Sequence, residues 1–451
     1  MSGDRRGEVR RVAISSYLGN TIEYYDFVLY ASAAALIFGP KFFSNLDPGL
    51  AVIASLATFA TGYVARPAGS VVFGHLGDKV GRKSTLLWTM SLMGLASGLI
   101  GLLPTFDQVG ILAPILLVIL RLVQGFAVGG EWGGAALMTA EHAPPGRRGF
   151  ITSFAQAGVP SGGLLSTLAM AAVALLPRDQ LLSWGWRLPF LVSFALLGLG
   201  LYVRLRVSES PLFAEMVRLE RDSRRPLAVV FRHHRADVGR GIATALIPIM
   251  TSTLFGSFAV SYAVRIGYPR SAVLSALSVA WALAIVTTPI YGTLSDRVGR
   301  RSVYLTGAIG FAVLAFPVFW MINSGSLPLL FVAFALVFGL ASNLTSAGLA
   351  AQLSEMFSTE SRFSGVSVAY AGASVVAGFL PLIASGLLTA AGGGTHIEPV
   401  AVLVVVICLF SAVVVRTAPR TGAGLVAGSK GGDDLQLQHF VPEEVERHGQ
   451  P

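Results

Sequence analysis

The chain has 451 residues, 53% of them hydrophobic and only 13% charged, and its mean hydropathy is +0.68; a soluble fold carries about 25% charged residues and could not hide so much apolar surface. The net charge of +9 does not imply nucleic acid, because Lys and Arg neither gather on one domain nor alternate with stacking aromatics. A single cysteine, Cys408, excludes an internal disulfide.

In chain order, twelve apolar runs are long enough to cross a bilayer core, about 20 residues each. They cover 14–38, 50–76, 85–104, 110–136, 150–176 and 186–206, then 239–264, 271–294, 302–322, 327–353, 363–390 and 397–416. The first follows Arg5, Arg6, Arg10 and Arg11 as a secretory signal would. Glu23 and Asp26 interrupt it and no small-residue cleavage site follows, so it reads as a retained helix. Residues 207–238 read as a long inner loop, rich in Arg with Glu209, Glu215 and Glu220, partly an amphipathic helix on the membrane surface. From 417 the chain turns Gly-rich and then acidic, the composition of a disordered tail. The expected plan is an all-α membrane protein with two pseudo-symmetric six-helix bundles, 1–206 and 239–416, joined by the loop 207–238 and followed by the tail 417–451. With the N-terminus inside, 26 of the 33 Lys and Arg fall on the inner side, and five (Lys41, Arg178, Arg187, Arg265 and Arg270) fall outside. That bias predicts both termini in the cytoplasm of a cell whose plasma (inner) membrane holds the chain.

Two loops are near copies of one another. Gly74-x-x-x-Asp78-x-x-Gly81-Arg82 and Gly292-x-x-x-Asp296-x-x-Gly299-Arg300 lie 218 residues apart, at corresponding places in the two halves. A second repeat spaces Glu141 from Arg148 and Glu355 from Arg362 by seven residues. Acids here can face the N-terminal dipole of a helix in the other half, and the acid and base pairs can join across helix ends in one state and part in another. Gly74 and Gly81 would let backbones approach.

Charges inside a membrane helix cost at least about 2.5 kcal/mol and persist with a partner or water, so they are functional candidates. On the first helix Asn20, Glu23, Asp26 and Tyr30 share a stripe; on the fourth, Arg121, Gln124, Gly125, Val128 and Trp132 share a face with Glu131 at its edge. Arg121 is the expected partner of Asp26, and an acid beside a permanently charged guanidinium can take or lose a proton as the partner moves. A static buried ion pair is the plainer alternative. Gln156, Trp281, Asn343 and Tyr370 are further lining candidates, though each taken alone is better explained by ordinary interhelical packing.

The doubled loop resembles that of the major facilitator superfamily. Gly19-Asn-Thr-Ile-Glu-Tyr-Tyr-Asp26, Arg66-Pro-Ala-Gly69 and Arg121-Leu-Val-Gln-Gly125 through Gly129-Gly-Glu131-Trp-Gly-Gly134 are similar to its metabolite:proton symporter family, whose members carry shikimate, α-ketoglutarate, citrate or proline and betaine. The shikimate-type members are nearest, notably through Trp184-Gly-Trp186-Arg187. The chain departs from them on the seventh helix: Ala245, Pro248 and Thr253, with Ser252 beside them, stand where those members offer an Arg, an acid and a Tyr. That departure weakens the case for a polyhydroxylated acid such as shikimate and leaves a smaller carboxylate or a zwitterion open.

The resemblance implies a secondary transporter, not an enzyme, that imports a small organic acid or zwitterion with a proton by alternating access. Its proton-coupling residues would be Asp26, Arg121 and Glu23, and its solute site Arg121, Tyr30, Gln124, Gln156, Trp281, Asn343 and Tyr370. Its gate would comprise Gly74, Asp78, Gly81, Arg82, Glu131, Glu141, Arg148, Asp296, Arg300, Glu355 and Arg362. The competing readings are a proton-coupled exporter of drugs or metabolites and a non-transporting membrane sensor. No phosphate-binding loop, metal-ligand spacing or cofactor motif occurs in the sequence. The expected partners are a small solute, a proton and the lipid bilayer, with the chain acting as a monomer.

Overall fold

Long apolar runs bounded by Gly, Pro and charge become helices because, in hydrocarbon, only a helix satisfies every backbone group within its own segment. The computed structural model describes residues 3–144, 146–207, 209, 234–357 and 362–418. Among the described residues twelve long helices follow one another: α1 (Gly3–Ala33), α2 (Pro48–Lys79), α3 (Arg82–Ile100), α4 (Leu112–His142), α5 (Arg148–Val173) and α6 (Arg178–Leu205). Then come α7 (Arg235–Arg265), α8 (Arg270–Val298), α9 (Arg300–Asn323), α10 (Leu327–Ser354), α11 (Arg362–Ala390) and α12 (Glu398–Thr417). Among the described residues nine of these are long and apolar enough to cross a membrane. The remaining three carry polar residues that the bundle buries: Asn20, Glu23 and Asp26 on α1, Arg66 and Asp78 on α2, and Arg82 at the head of α3.

The expected first run, 14–38, is longer in the structure: α1 starts at Gly3 and continues through a π-helical turn at Ala34–Phe38. Most of the central loop, with Glu215 and Glu220, and the whole tail beyond Ala418 lie outside the described residues.

In the first half α1 packs along α5, α2 along α4, and α3 against α4 and α6; in the second, α7 packs on α11 and α9 on α12. The halves meet along α2 with α11 and α5 with α8. Glycine permits the tightest of these contacts: a Cβ on Gly125 would sit 2.0 Å from the Gly62 carbonyl oxygen, so α4 lies directly on the α2 backbone. Outward-facing Trp88, Leu175, Val313, Trp320 and Leu382 are exposed, as lipid-facing positions must be. The ends of α2, α4, α8 and α10 and the starts of α3, α5, α9 and α11 gather at one end, which also bears Lys79, Arg82, Lys83, Arg297, Arg300 and Arg301 and is called the basic end below.

Candidate functional site

At the basic end the repeated acids reach across the interface between halves. Asp78 accepts from the Phe363 and Ser364 backbone N–H groups (3.3 and 3.0 Å) and the Ser364 hydroxyl (2.6 Å), capping α11. Asp296 accepts from the Gly149 and Phe150 N–H groups at 2.8 Å each, capping α5. Each carboxylate thus meets the positive end of a helix dipole in the other half. Gly74 is close-packed, since a Cβ there would stand 3.1 Å from the Ser364 Cα. Gly81 and Gly299 open α3 and α9 at φ values of 115° and 92°, which other residues rarely adopt.

Ion pairs surround these caps. Glu141 lies 3.1 Å from Arg82 Nε and 3.6 Å from Arg362 Nη1 of the opposite half. Arg300 joins Glu355 (3.3 Å) and Asp296 (3.5 Å). Burial pushes the Glu355 carboxyl above its ordinary range, against the lowering pull of Arg300 and Arg148. Arg148 acts on Glu355 electrostatically without pairing with it. Sequence reasoning gave Glu209 no role beyond the loop charge; its carboxylate accepts from the Arg82 and Lys83 N–H groups and so caps α3.

Further in, a cavity of ≈ 410 Å³ including its mouth lies between the halves. Tyr24, Gln156 and Pro160 wall it on one side, and Ser252, Trp281, Asn343 and Tyr370 on the other. Four of the expected solute residues, Gln156, Trp281, Asn343 and Tyr370, are therefore brought together. Trp132 of α4 stacks on Tyr370 of α11 at 3.8 Å between centroids, and the Tyr24 and Tyr370 hydroxyls are 3.1 Å apart. Trp132 Nε1 donates to Gln156 Oε1 (3.3 Å). Asn343 is spent on Ala284, Thr287 and Thr288, so its amide braces α10 against α8. Trp281 Nε1, by contrast, is buried with no hydrogen-bond partner. A π-helical stretch, Thr251–Ala259, turns α7 at the place where Ser252 reaches the wall. Among the described residues, no charged side chain lines the cavity.

Arg121, Tyr30 and Gln124, expected at the solute site, do not line this cavity. Arg121 is 1% exposed, with its Nη1 donating to Gln124 Oε1 (2.5 Å) and its guanidinium against the rings of Tyr30 (4.1 Å), Phe27 and Phe59 (4.9 Å each). Cation–π contacts of about 2 kcal/mol when desolvated hold it there. Tyr30 donates to Thr58 Oγ1 (2.7 Å). The expected ion pair with Asp26 is absent: Asp26 accepts from Ser193 (2.5 Å), and Arg121 acts on it only at a distance. Glu131 is also corrected, since it pairs with Arg204 (2.5 Å) and accepts from Thr89, both in its own half, and does not touch the gate. Arg204, near the end of the apolar run 186–206, is 2% exposed. Glu23 is 1% exposed, and neither of its carboxylate oxygens has a hydrogen-bond partner. Arg66, within the run 50–76, donates to Ser374 Oγ across the interface (3.1 Å).

The sequence pattern of the family described as "Sugar (and other) transporter" matches residues 12–240, and that of the "Major Facilitator Superfamily" matches 241–445. The chain belongs to the major facilitator superfamily. It is 39% identical to the shikimate transporter of Escherichia coli over 409 residues, 89% of this chain and 93% of that protein. It is 34% identical to the proline/betaine transporter of Escherichia coli over 394 residues, 85% and 78% of the two chains. These relatives are the ones its helix-one and helix-four motifs resemble, those of the metabolite:proton symporter family. Among solved structures, the proton:xylose symporter XylE bound to 6-bromo-6-deoxy-D-glucose superposes with a TM-score of 0.70 at 17% identity, over 91% of this chain and 95% of that one. This facilitator is thus a multi-pass membrane transporter of twelve helices.

Proposed function

We propose that this facilitator carries a small carboxylate or zwitterion into the cell together with a proton, by exposing the central cavity alternately to the two sides of the membrane. The basic end faces the cytoplasm with both termini, in accord with the excess of Lys and Arg there. The observation that carries the reading is the cavity walled by both halves, directly beyond an end where Asp78, Asp296 and the Glu141–Arg362 pair bind one half to the other. Opening the cytoplasmic side requires those cross-half contacts to part, so they are the gate, and the conformation described is the one with that gate closed. The cavity lies within one chain, so a monomer suffices.

The relatives named for shikimate and for proline and betaine support a small polar solute. An uncharged lining favours a solute whose charges largely cancel, because an unpaired charge there would lose its hydration without a counter-ion. A carboxylate on such a solute would accept from the unpartnered indole N–H of Trp281 and the amide of Gln156. Arg121 leaves the solute site and becomes a buried cation that acts on Asp26 from a distance. The acids that exchange the proton are Asp26 and Glu23, both fully enclosed. The test is accumulation of radiolabelled shikimate, proline and glycine betaine in proteoliposomes under an acid-outside gradient. Uptake above equilibrium of at least one, abolished by a protonophore, is expected; export or no movement under the same gradient refutes the reading.

A further inference from the structure

We propose that Arg66 is a proton-governed tie between the halves, its guanidinium alternating between Ser374 of α11 and the Glu23 carboxyl of α1; this deepens the symport reading above and rests on it. Arg66 lies 13 residues from the end of α2 at Lys79, hence about 20 Å along the helix from the basic end and near mid-membrane. It is 4% exposed, and its Cζ stands 4.7 Å from both the Phe27 and Tyr63 ring centroids. Two aromatic faces hold the guanidinium plane while leaving its edge free to choose a partner. In the structure that partner is Ser374 Oγ at 3.1 Å, and Arg66 Nε is buried without one. Ser374 donates its own proton to the Tyr370 carbonyl (2.8 Å), so its oxygen is committed to Arg66 as an acceptor.

The second claimant on Arg66 is Glu23. Its carboxyl is buried with both oxygens unpartnered. The charged and titratable groups that face it are Arg66 and Tyr63 from α2, Glu131 from α4, Arg204 from α6, Tyr24 from α1 itself and Tyr370 from α11. From α5, whose one titratable residue is Arg148 at its start, none does. Glu131 and Arg204 already pair with each other. Arg66 is therefore the cation facing Glu23 that holds no carboxylate.

The consequence is an exchange of partners. While the gate is closed, Ser374 holds Arg66 and Glu23 keeps its proton. When the halves part, Ser374 leaves with α11, Arg66 turns to Glu23, and the carboxyl gives its proton to water entering at the basic end. Resealing returns Arg66 to Ser374, and Glu23 takes a proton from the other side. The tie adjoins the solute, since Tyr24 and Tyr370 both line the cavity. Arg66 acts here as a positioning residue and Glu23 as the group that exchanges the proton.

The test needs no solute. On a Cys408→Ser background, spin labels at Val80 and Val298, both exposed at the basic end and in different halves, report its opening by pulsed electron-electron distance measurement in nanodiscs between about pH 5 and about pH 9. A long-distance component is expected to grow with pH in the parent. Glu23→Gln should hold the short distance throughout, and Ser374→Ala, a change tolerated in a helix, should raise the open-to-closed ratio about tenfold at the acid end. The proposal is overturned if the parent distances do not depend on pH, or if Glu23→Gln opens with pH as the parent does, or if Ser374→Ala leaves the ratio unchanged. Proton-driven accumulation in a carrier that fails these distance tests would leave the symport reading standing and remove the tie alone.

Discussion

Replacing Asp78 with Asn isolates what a single charge contributes to the closed gate. The carboxylate accepts three hydrogen bonds from the first turn of α11, at 3.3, 3.0 and 2.6 Å, and faces the positive end of that helix. Asn keeps the size but offers one acceptor oxygen, and its NH₂ group points at N–H donors. Hydrogen bonds to a charged acceptor are each worth about 1.5–3 kcal/mol, and the helix terminus adds up to about 2 kcal/mol in buried geometry. Part of this is regained by the remaining acceptor, so the closed state should lose about 2–3 kcal/mol, an increase of about 30- to 150-fold in the open-to-closed ratio. Hydrogen–deuterium exchange reads it directly, because the Phe363 and Ser364 amides are the donors. Their protection should fall by that factor, while a peptide within α9 stays as protected as in the parent. Unchanged exchange at Phe363 and Ser364, or an equal loss in α9, would refute the reasoning, the first by denying the contact and the second by showing general unfolding.

Trp281→Phe keeps the ring against Phe338, 4.4 Å away, but removes the unpartnered N–H; solute affinity in a thermal-shift titration should weaken about tenfold with the ligand-free melting temperature unchanged, and equal affinity would remove Trp281 from the solute site. Gly125→Ala places a Cβ 2.0 Å from the Gly62 carbonyl oxygen and should destabilise the protein by about 2–3 kcal/mol, whereas Gly198→Ala, with open space around it, should melt with the parent. Comparable melting curves for the two variants would show that α2 and α4 are not so closely applied. Asp26→Asn should abolish proton-driven accumulation while leaving expression and melting intact, because an amide beside Ser193 cannot titrate; accumulation with the parent pH dependence would take Asp26 out of the coupling.

Much of this arrangement was legible because it repeats. The Gly74 to Arg82 loop and its copy at Gly292 to Arg300 announce two related halves, and an acid in the last turn of a helix, three residues before the glycine that opens the next one, has little to face except another helix terminus. That is where Asp78 and Asp296 lie. Gln156, Trp281, Asn343 and Tyr370 could be singled out because polar and broad aromatic side chains are few in these helices. What failed was pairing by charge alone. Arg121 and Asp26 look complementary on a helical wheel, but the α1 and α2 rings of Phe27, Tyr30 and Phe59 hold the guanidinium, and a serine on α6 serves the carboxylate. Arg204 sits at the end of an apolar run, where a loop charge and a buried one look the same, and only the position of Glu131 decides between them. The Arg66 to Ser374 contact spans 308 residues, and no local pattern encodes a hydroxyl as the partner of a cation.

The central claim is that solute and proton cross together through the cavity between the halves. Its most direct measurement is the external pH of a weakly buffered suspension of energised vesicles when a transported solute is added. Alkalinisation outside, at a rate that tracks solute entry and vanishes in Asp26→Asn, is the predicted result. Acidification outside, or solute entry with no change in pH, would contradict it.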